Sequence, residues 1–363
     1  MNILVAGLGQ QGNYFIKALK KLAVPECNIF GHDVDLAKID EAKQKFPGIS
    51  VCRDLIHDDG YDPYTRDCEN EIRAMEFAIV ATSTPNHHRM IIELAGFGIK
   101  YILCEKPLGM NLVEVNEVKK VIDETGTNVF TAFQMNFSPA VMHIIKMMQD
   151  KGLILTEGSV VWGKNRKGDK RPTPGDLEDE LVHGKGILNQ LIHINQVVRG
   201  SCVSGMLTYP KFTDSLSQGK AHELDTSFPL RVNASSMVLE CIKTDRAEVA
   251  CVMHSSFLYS HQVRRVSLVL SMKDDPLSPV YSVEMDFDVK TGIGGYEDQI
   301  TITQLDGNKV EFLPFSSDKI LDQTQAFIKV PTGVIDPRLT QFEDAERAVA
   351  FSEAVFRSHS ERS

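Results

Sequence analysis

Along the first third of the chain, short apolar runs alternate with segments whose apolar residues recur every three or four positions. Asn2 to Ala6 is one such run, and Phe15, Leu19 and Leu22 mark a helical stripe within Gln11 to Ala23. Asn28 to Gly31 reads as a second strand, followed by a polar helix over Leu36 to Phe46. Phe77 to Ala81 and Tyr101 to Cys104 are further strands, separated by a helix through Met90 to Ala95. Asn111 to Glu124 is helical again, and Asn128 to Phe133 extended. Strands that are apolar throughout are covered on both faces, and their alternation with helices predicts a parallel, doubly wound α/β sheet. The polar segment Asp58 to Arg66, with Gly60 and Pro63, breaks the rhythm as a loop.

Beyond about residue 130 the pattern changes. A helix over Ala140 to Lys151 leads to a strand at Gly158 to Gly163, a polar stretch to Gly186, and a helix through Arg199. Alternating strands then dominate: Ser235–Lys243, Ala247–Ser256, Val263–Met272, Val280–Asp288, Gln299–Leu305 and Lys309–Phe315. Asp306-Gly307-Asn308 is a hairpin signal between the last two. Gln341 to Arg357 closes the chain as a helix on Phe342, Ala345, Val349 and Ala350. The expected division is a dinucleotide-binding domain over 1–130 and an α+β domain over 131–363, whose mostly antiparallel sheet carries helices on one face.

Composition narrows the function class. A chain of 363 residues with 42% hydrophobic and 24% charged positions fits two folded domains rather than global disorder. A formal charge of -10 argues against general affinity for nucleic acid or an anionic membrane. No apolar run reaches membrane-spanning length, and the strand at Ile3 to Ala6 leaves no room for a signal peptide. The seven cysteines, at 27, 52, 68, 104, 202, 241 and 251, show no metal-like spacing. They read as reduced, mostly buried thiols of a cytoplasmic protein.

Candidate chemistry begins at Gly7-Leu8-Gly9-Gln10-Gln11-Gly12. A glycine loop between a strand and a helix lets backbone amides approach a pyrophosphate at the helix N-terminus, as in a Rossmann domain. Asp33 follows at the spacing of an acidic residue that accepts from the adenosine ribose, which favours NAD over NADP. Asp35 is the better cap for the helix that begins near Leu36. Thr82, Thr84, Pro85 and Asn86 end another strand on the ligand side, where they suit a ribose or nicotinamide edge or simply a turn. His87 and His88 lack a third ligand, so no metal is expected. Glu105 and Lys106 directly follow the Tyr101 to Cys104 strand. A lysine there can hydrogen-bond an alcohol oxygen, or it pairs with Glu105 at the surface. If the segment around His193 is helical, Asn189, His193 and Gln196 share a polar face, and neutral imidazole is a suitable base.

GLGQQG, Asp33, ATSTPN, CEKPLGMN, AFQMNFSP and the terminal FEDAERAVAFSEAVFRS occur in the order found in the glucose–fructose oxidoreductase / inositol dehydrogenase / rhizopine-catabolism (Gfo/Idh/MocA) family, which the chain resembles over nearly its whole length. That resemblance implies a Rossmann domain followed by an open-faced sheet domain. It implies oxidation or reduction of a secondary alcohol on a sugar, cyclitol or related compound with NAD or NADP. It would make Lys106 the substrate-oxygen ligand and His193 the acid/base, and the open sheet a subunit contact in a homodimer or homotetramer. The family often has aspartate four residues before the histidine, where this chain has Asn189; such an asparagine orients an imidazole but lends it no charge. Gln196 and Asn136 likewise replace common family residues, aspartate and arginine. The resulting pattern resembles a branch acting on modified or nucleotide-linked sugars. Lys164 and Arg166, with Lys167, Lys170 and Arg171, could then hold a substrate phosphate. The alternative is a solvated basic loop balanced by Asp176, Glu178, Asp179 and Glu180. Two other functions fit the same residues: a hydrolase or lyase that oxidises its sugar transiently, and a non-catalytic sensor resembling the yeast galactose repressor in fold.

Overall fold

The computed structural model describes residues 1–24, 27–51, 66–165, 175–208, 234–291, 295–307 and 309–361. The expected loop at Asp58 to Arg66 lies almost wholly outside them. Contacts divide the chain into two compact units: 1–134 with 318–349, and 135–317 with 350–363.

In the first unit the strands are β1 (Asn2–Ala6), β2 (Asn28–His32), β3 (Ser50–Val51), β4 (Phe77–Val80), β5 (Tyr101–Glu105) and β6 (Asn128–Ala132). The helices are α1 (Gln10–Leu22), α2 (Leu36–Lys45), α3 (Arg66–Arg73), α4 (His87–Gly96) and α5 (Leu112–Thr125). β1 to β6 pair in parallel in the order β6-β5-β4-β1-β2-β3, with β1 central. β1 and β4 are buried on both faces because helices cover each, as their unbroken apolar runs require. Asp35 caps α2 by accepting from the Ala37 amide at 3.0 Å, and Asn111 caps α5 through Glu114 at 2.9 Å. Each cap satisfies an amide that the helix cannot.

The linear boundary near residue 130 misses a return of the chain. Residues 318–349 belong to the first unit: there Phe327 packs edge-on against Phe77 and Phe130, and Thr340 pairs antiparallel with Thr131. These edge contacts attach a helix and a short antiparallel strand to a finished parallel sheet, which strand–helix alternation does not encode.

In the second unit the helices are α6 (Pro139–Lys151) and α7 (Val182–Ile192), the latter preceded by a π turn at Leu177–Leu181. The first three strands are β7 (Leu153–Asn165), β8 (Val198–Thr208) and β9 (Ser235–Thr244). β10 (Glu248–Ser256), β11 (Leu258–Met272), β12 (Asp275–Lys290), β13 (Tyr296–Gln304) and β14 (Lys309–Phe315) complete one eight-stranded sheet, ordered β14-β13-β12-β11-β7-β10-β9-β8. All its pairs are antiparallel except β10 with β7. α8 (Lys319–Ile328) and β15 (Thr340–Gln341) lie in the first unit, and α9 (Phe342–Ser360) ends the chain.

Alternation decides the two faces of this sheet. Val160, Val238, Met253, Leu268, Val283 and Ile302 point into a core with Ile144, Ile187 and Leu191. Met206, Met237, Leu239, Val252 and Phe312 are exposed on the opposite face. Each fully buried aliphatic side chain contributes about 1.5–3 kcal/mol, so the register of these strands is strongly fixed. Gly158 and Gly184 let α7 lie close: a Cβ at Gly158 would stand 2.9 Å from Leu188, and one at Gly184 would overlap Val160.

Candidate active site

The glycine loop has the conformation its sequence predicts. Gly7 has φ +94° and donates its amide to His32 O at 2.7 Å. A Cβ there would come within 2.6 Å of Thr82 N, and one at Gly12 would overlap the Gly7 carbonyl oxygen. At Gly9 a Cβ would meet nothing within 4 Å, so that position borders open space. Gly9 is the N-cap of α1 and offers no side-chain cap, leaving the helix N-terminus to attract an anion. Asn13 fixes the loop by donating to the carbonyls of Leu8 and Gly9, both at 2.8 Å. The buried Thr82 hydroxyl has no hydrogen-bond partner among the described residues. These features fit a dinucleotide pyrophosphate, although its adenosine end needs a revised reading. Asp33 accepts from the Leu8 amide at 2.8 Å and from the Asp35 amide at 2.9 Å, and Lys38 lies 3.6 Å away. The carboxylate therefore clasps the glycine loop and has a cation beside it. That lysine weakens the repulsion of a 2′-phosphate on which the expected preference for NAD rests.

Lys106 follows β5 directly, on the ligand side of the parallel sheet, next to half-buried Glu105. Two neighbours order its loop. His87, at the start of α4, lies between the Pro107 carbonyl at 2.7 Å and the Thr82 carbonyl at 3.1 Å. Burial lowers its pKa against the raising effect of those two carbonyls, with Lys106 lowering it further. His87 thus lies between the Thr82–Asn86 loop and the Lys106 loop, and a ring whose neutral form is favoured donates to one of the two carbonyls at a time. Glu114 accepts from Met110 N at 2.7 Å and faces His88 at 3.3 Å. Burial pushes its pKa up, but the hydrogen bonds from His88 and Met110 outweigh that and hold it low. Thr84, Pro85 and Asn86 form a short 3-10 turn, in which Asn86 donates to the Ser83 hydroxyl at 3.0 Å.

α7 ends at Ile192, whereas the sequence predicts a helix through Arg199; β8 begins at Val198. His193 is the C-cap and is exposed. Gln196 is buried instead, donating to Leu155 O at 3.1 Å and accepting from Thr244 at 3.1 Å. Asn189, His193 and Gln196 therefore do not share a polar helical face. The polar turn Ile192–Gln196 ends the helix before the phase can reach Gln196: Asn195 has φ +60° and donates to the Met148 and Leu153 carbonyls.

A second histidine, His183, lies on the same helix. It is 7% exposed in the first turn of α7, stacked on Trp162 with centroids 5.8 Å apart. Asp179 stands four residues before it, so here an acid occupies the position that Asn189 holds before His193; the Asp-x-x-x-His signal was present in the sequence. The intervening π turn is a form common at functional sites. Lys164 lies 3.5 Å from Asp179 and is ion-paired with Glu180. Arg166 lies outside the described residues. Asn136 is buried. Beneath this turn Asp176 accepts from Ser236 at 2.8 Å and Ser255 at 2.6 Å. Burial raises its pKa to about 7, against the two serines and helped by Glu180 and Asp179. No group of three or more metal-ligating side chains occurs among the described residues. No helix among them is long and apolar enough to cross a membrane.

Residues 1–133 match the family described as GFO_IDH_MocA, an oxidoreductase family with an NAD-binding Rossmann fold. The myo-inositol 2-dehydrogenase of Thermotoga maritima is 24% identical over 237 residues, which are 62% of this chain and 63% of that protein. The chain thus spans under two thirds of that relative. Among solved structures, the aldose-aldose oxidoreductase of Caulobacter crescentus superposes with a TM-score of 0.72 at 12% identity, covering 100% of this chain and 98% of the other. KijD10, a 3-ketoreductase of Actinomadura kijaniata in complex with TDP-benzene and NADP, gives 0.69 at 15% identity, covering 99% and 97%. At these identities the two structures show a shared fold.

Proposed function

We propose that this chain, which belongs through its NAD-binding domain to the Gfo/Idh/MocA oxidoreductase family, is an NAD(P)-dependent dehydrogenase or ketoreductase of a secondary alcohol on a sugar or sugar derivative. The observation that carries this reading is the Gly7–Gly12 cradle, open at Gly9, on the same ligand side of the parallel sheet as Lys106. The nicotinamide, when bound, accepts or supplies the hydride. What remains for the protein is orientation and one proton. The Lys106 ammonium donates a hydrogen bond to the reacting oxygen and favours its alkoxide character. The hydroxyl proton leaves in oxidation and returns in reduction through an acid/base, a role we infer for His183, the buried histidine at the start of α7. This assigns to His183 the role that the sequence gives to His193. Glu105, Asn86 and Thr82 shape the loops around the cofactor. Asp33 holds the adenosine side, with NAD and NADP both accepted because Lys38 stands beside it.

For the substrate, the named relatives support an aldose, a cyclitol or a nucleotide-linked sugar. Lys164 gives no support to a phosphate-bearing one, since Asp179 and Glu180 engage it. The exposed apolar side chains on the open face of the second sheet support self-association as a homodimer or homotetramer. The deciding experiment follows nicotinamide absorbance with NAD and NADP against free sugars, cyclitols and nucleotide sugars, alongside Lys106→Ala. The expected result is turnover that the variant loses while still binding cofactor. Undiminished turnover in Lys106→Ala would overturn the reading.

A further inference from the structure

The open face of the second sheet carries a pair of residues that the reaction does not use. β8 and β9 run antiparallel at the sheet edge, and their register sets Cys202 directly opposite Cys241. Cys241 alternates with buried Glu240 and Ile242, so it lies on the open face. Cys202 is exposed, Cys241 is partly exposed, and both are free thiols. Residues opposed across an antiparallel pair have Cα atoms about 4.5 or 5.5 Å apart, and a disulfide bridges Cα separations of about 4.4–6.8 Å. Strand pairing therefore holds the two Cα atoms within the span that a disulfide bridges. The two buried strand cysteines have no such partner: Cys251 lies opposite Glu240 and Gly158, and Cys104 opposite Val80 and Thr131. Desolvation, Glu248 and the neighbouring thiol raise the pKa of Cys241, so the exposed Cys202 is the sulfur that an oxidant meets first.

We propose that Cys202 and Cys241 are a modification site, converted by a peroxide into an intrachain cross-strand disulfide that thiols reopen. The Cys202 thiolate attacks one peroxide oxygen, the O–O bond breaks, and Cys202 becomes a sulfenic acid as the other oxygen leaves as water. The Cys241 thiolate then attacks that sulfur; the S–S bond forms, the S–O bond breaks, and a second water leaves. Two thiols give up two electrons and two protons, and the peroxide is reduced to two waters. The product ties the edge strand β8 covalently to β9, beside the exposed Met206, Met237 and Leu239. A reductant regains the thiols by exchange at the exposed Cys202.

The test treats the full-length protein with a slight excess of hydrogen peroxide, alkylates it, and digests it without reductant. The expected result is one cross-linked peptide pair joining Cys202 to Cys241. Intact mass should fall by about 2 Da per chain, and dithiothreitol should restore both thiols. Cys202→Ser and Cys241→Ser should each abolish the cross-link, and Cys27→Ser should leave it unchanged. Recovery of Cys202 as sulfinic acid with Cys241 still alkylatable would overturn the proposal. So would chains joined Cys202 to Cys202, or thiols that react only after denaturation. This proposal does not depend on the catalytic reading, because its readout is peptide mass rather than turnover.

Discussion

The two units hold their candidate residues by different means. In the first, the site is made of backbone: Gly7, Gly9 and Gly12 are placed by a strand–helix turn, and Lys106 by the end of a strand buried on both faces. In the second, the site depends on the phase and length of one helical segment laid on a half-open sheet. A turn made of glycines can be read from a few letters, because only glycine fits. A helix phase cannot, because several histidines offer plausible faces until the ends of the helix are known.

The largest expected effect comes from filling the glycine turn. Gly7→Ala forces a side chain into left-handed backbone and against Thr82 N, and Gly12→Ala drives one into the Gly7 carbonyl. Each should cost about 3 kcal/mol or more, read as a large fall in denaturant midpoint. Gly9→Ala meets no protein atom. It should leave the midpoint unchanged and raise the Kd for NAD(H), measured by fluorescence titration, at least tenfold. Equal unfolding by all three variants would mean that Gly9 serves the fold rather than a ligand.

Next comes the helix phase. His183→Asn should lower kcat by about 100-fold or more, in the range lost with a general acid or base, while His193→Ala should change it little. The reverse order of effects would return the role to the exposed residue.

These cases define what the sequence allowed. The parallel sheet, the Asp35 cap and the alternation of β9 to β14 were legible, because each follows from a local period or a single side chain. The helix expected through Arg199 was not. Its apolar positions continue past Ile192, but Asn195 turns the chain by bonding two carbonyls from distant segments, and Gln196 is bound by β7 and β9. Contacts that lie 41 to 48 residues away in sequence have no local signature. The same holds for residues 318–349, which join the first unit through Phe327 and Thr340. Asp179 and His183 carried a readable spacing, yet they sat inside a stretch whose charges looked like a solvated loop.

Comparable in size is the response of the second unit to an unpaired buried charge. Lys185 and Glu240 are 5% and 6% exposed and bond at 2.5 Å, with Lys185 also over the Phe351 ring. Glu240→Ala leaves the buried Lys185 ammonium without its carboxylate, and should cost about 3–5 kcal/mol of unfolding free energy at most. Lys185→Met together with Glu240→Leu should recover most of that loss. Failure to recover would show that the pair contributes more than mutual neutralisation.

The gentlest test is pH. Asp176 is fully buried beneath the π turn, and its pKa is raised from 3.8 to about 7. The groups facing it are Ser236 on β9, Ser255 on β10, Tyr259 on β11, and Asp179 and Glu180 on its own turn. Between pH 4 and 7 the folded protein keeps this proton while the unfolded chain releases it. A folded state that binds more protons loses stability as pH rises, here by at most about 1.4 kcal/mol per unit across that window, with no further loss above pH 7. Asp176→Asn keeps the serine hydrogen bonds and cannot ionise, so its denaturant midpoint should be flatter from pH 5 to 7 than that of the native chain. Identical slopes in the two proteins would mean that Asp176 is already ionised at pH 5. The turn that carries Asp179 and His183 would then rest on a buried carboxylate held by two hydroxyls, rather than on a proton.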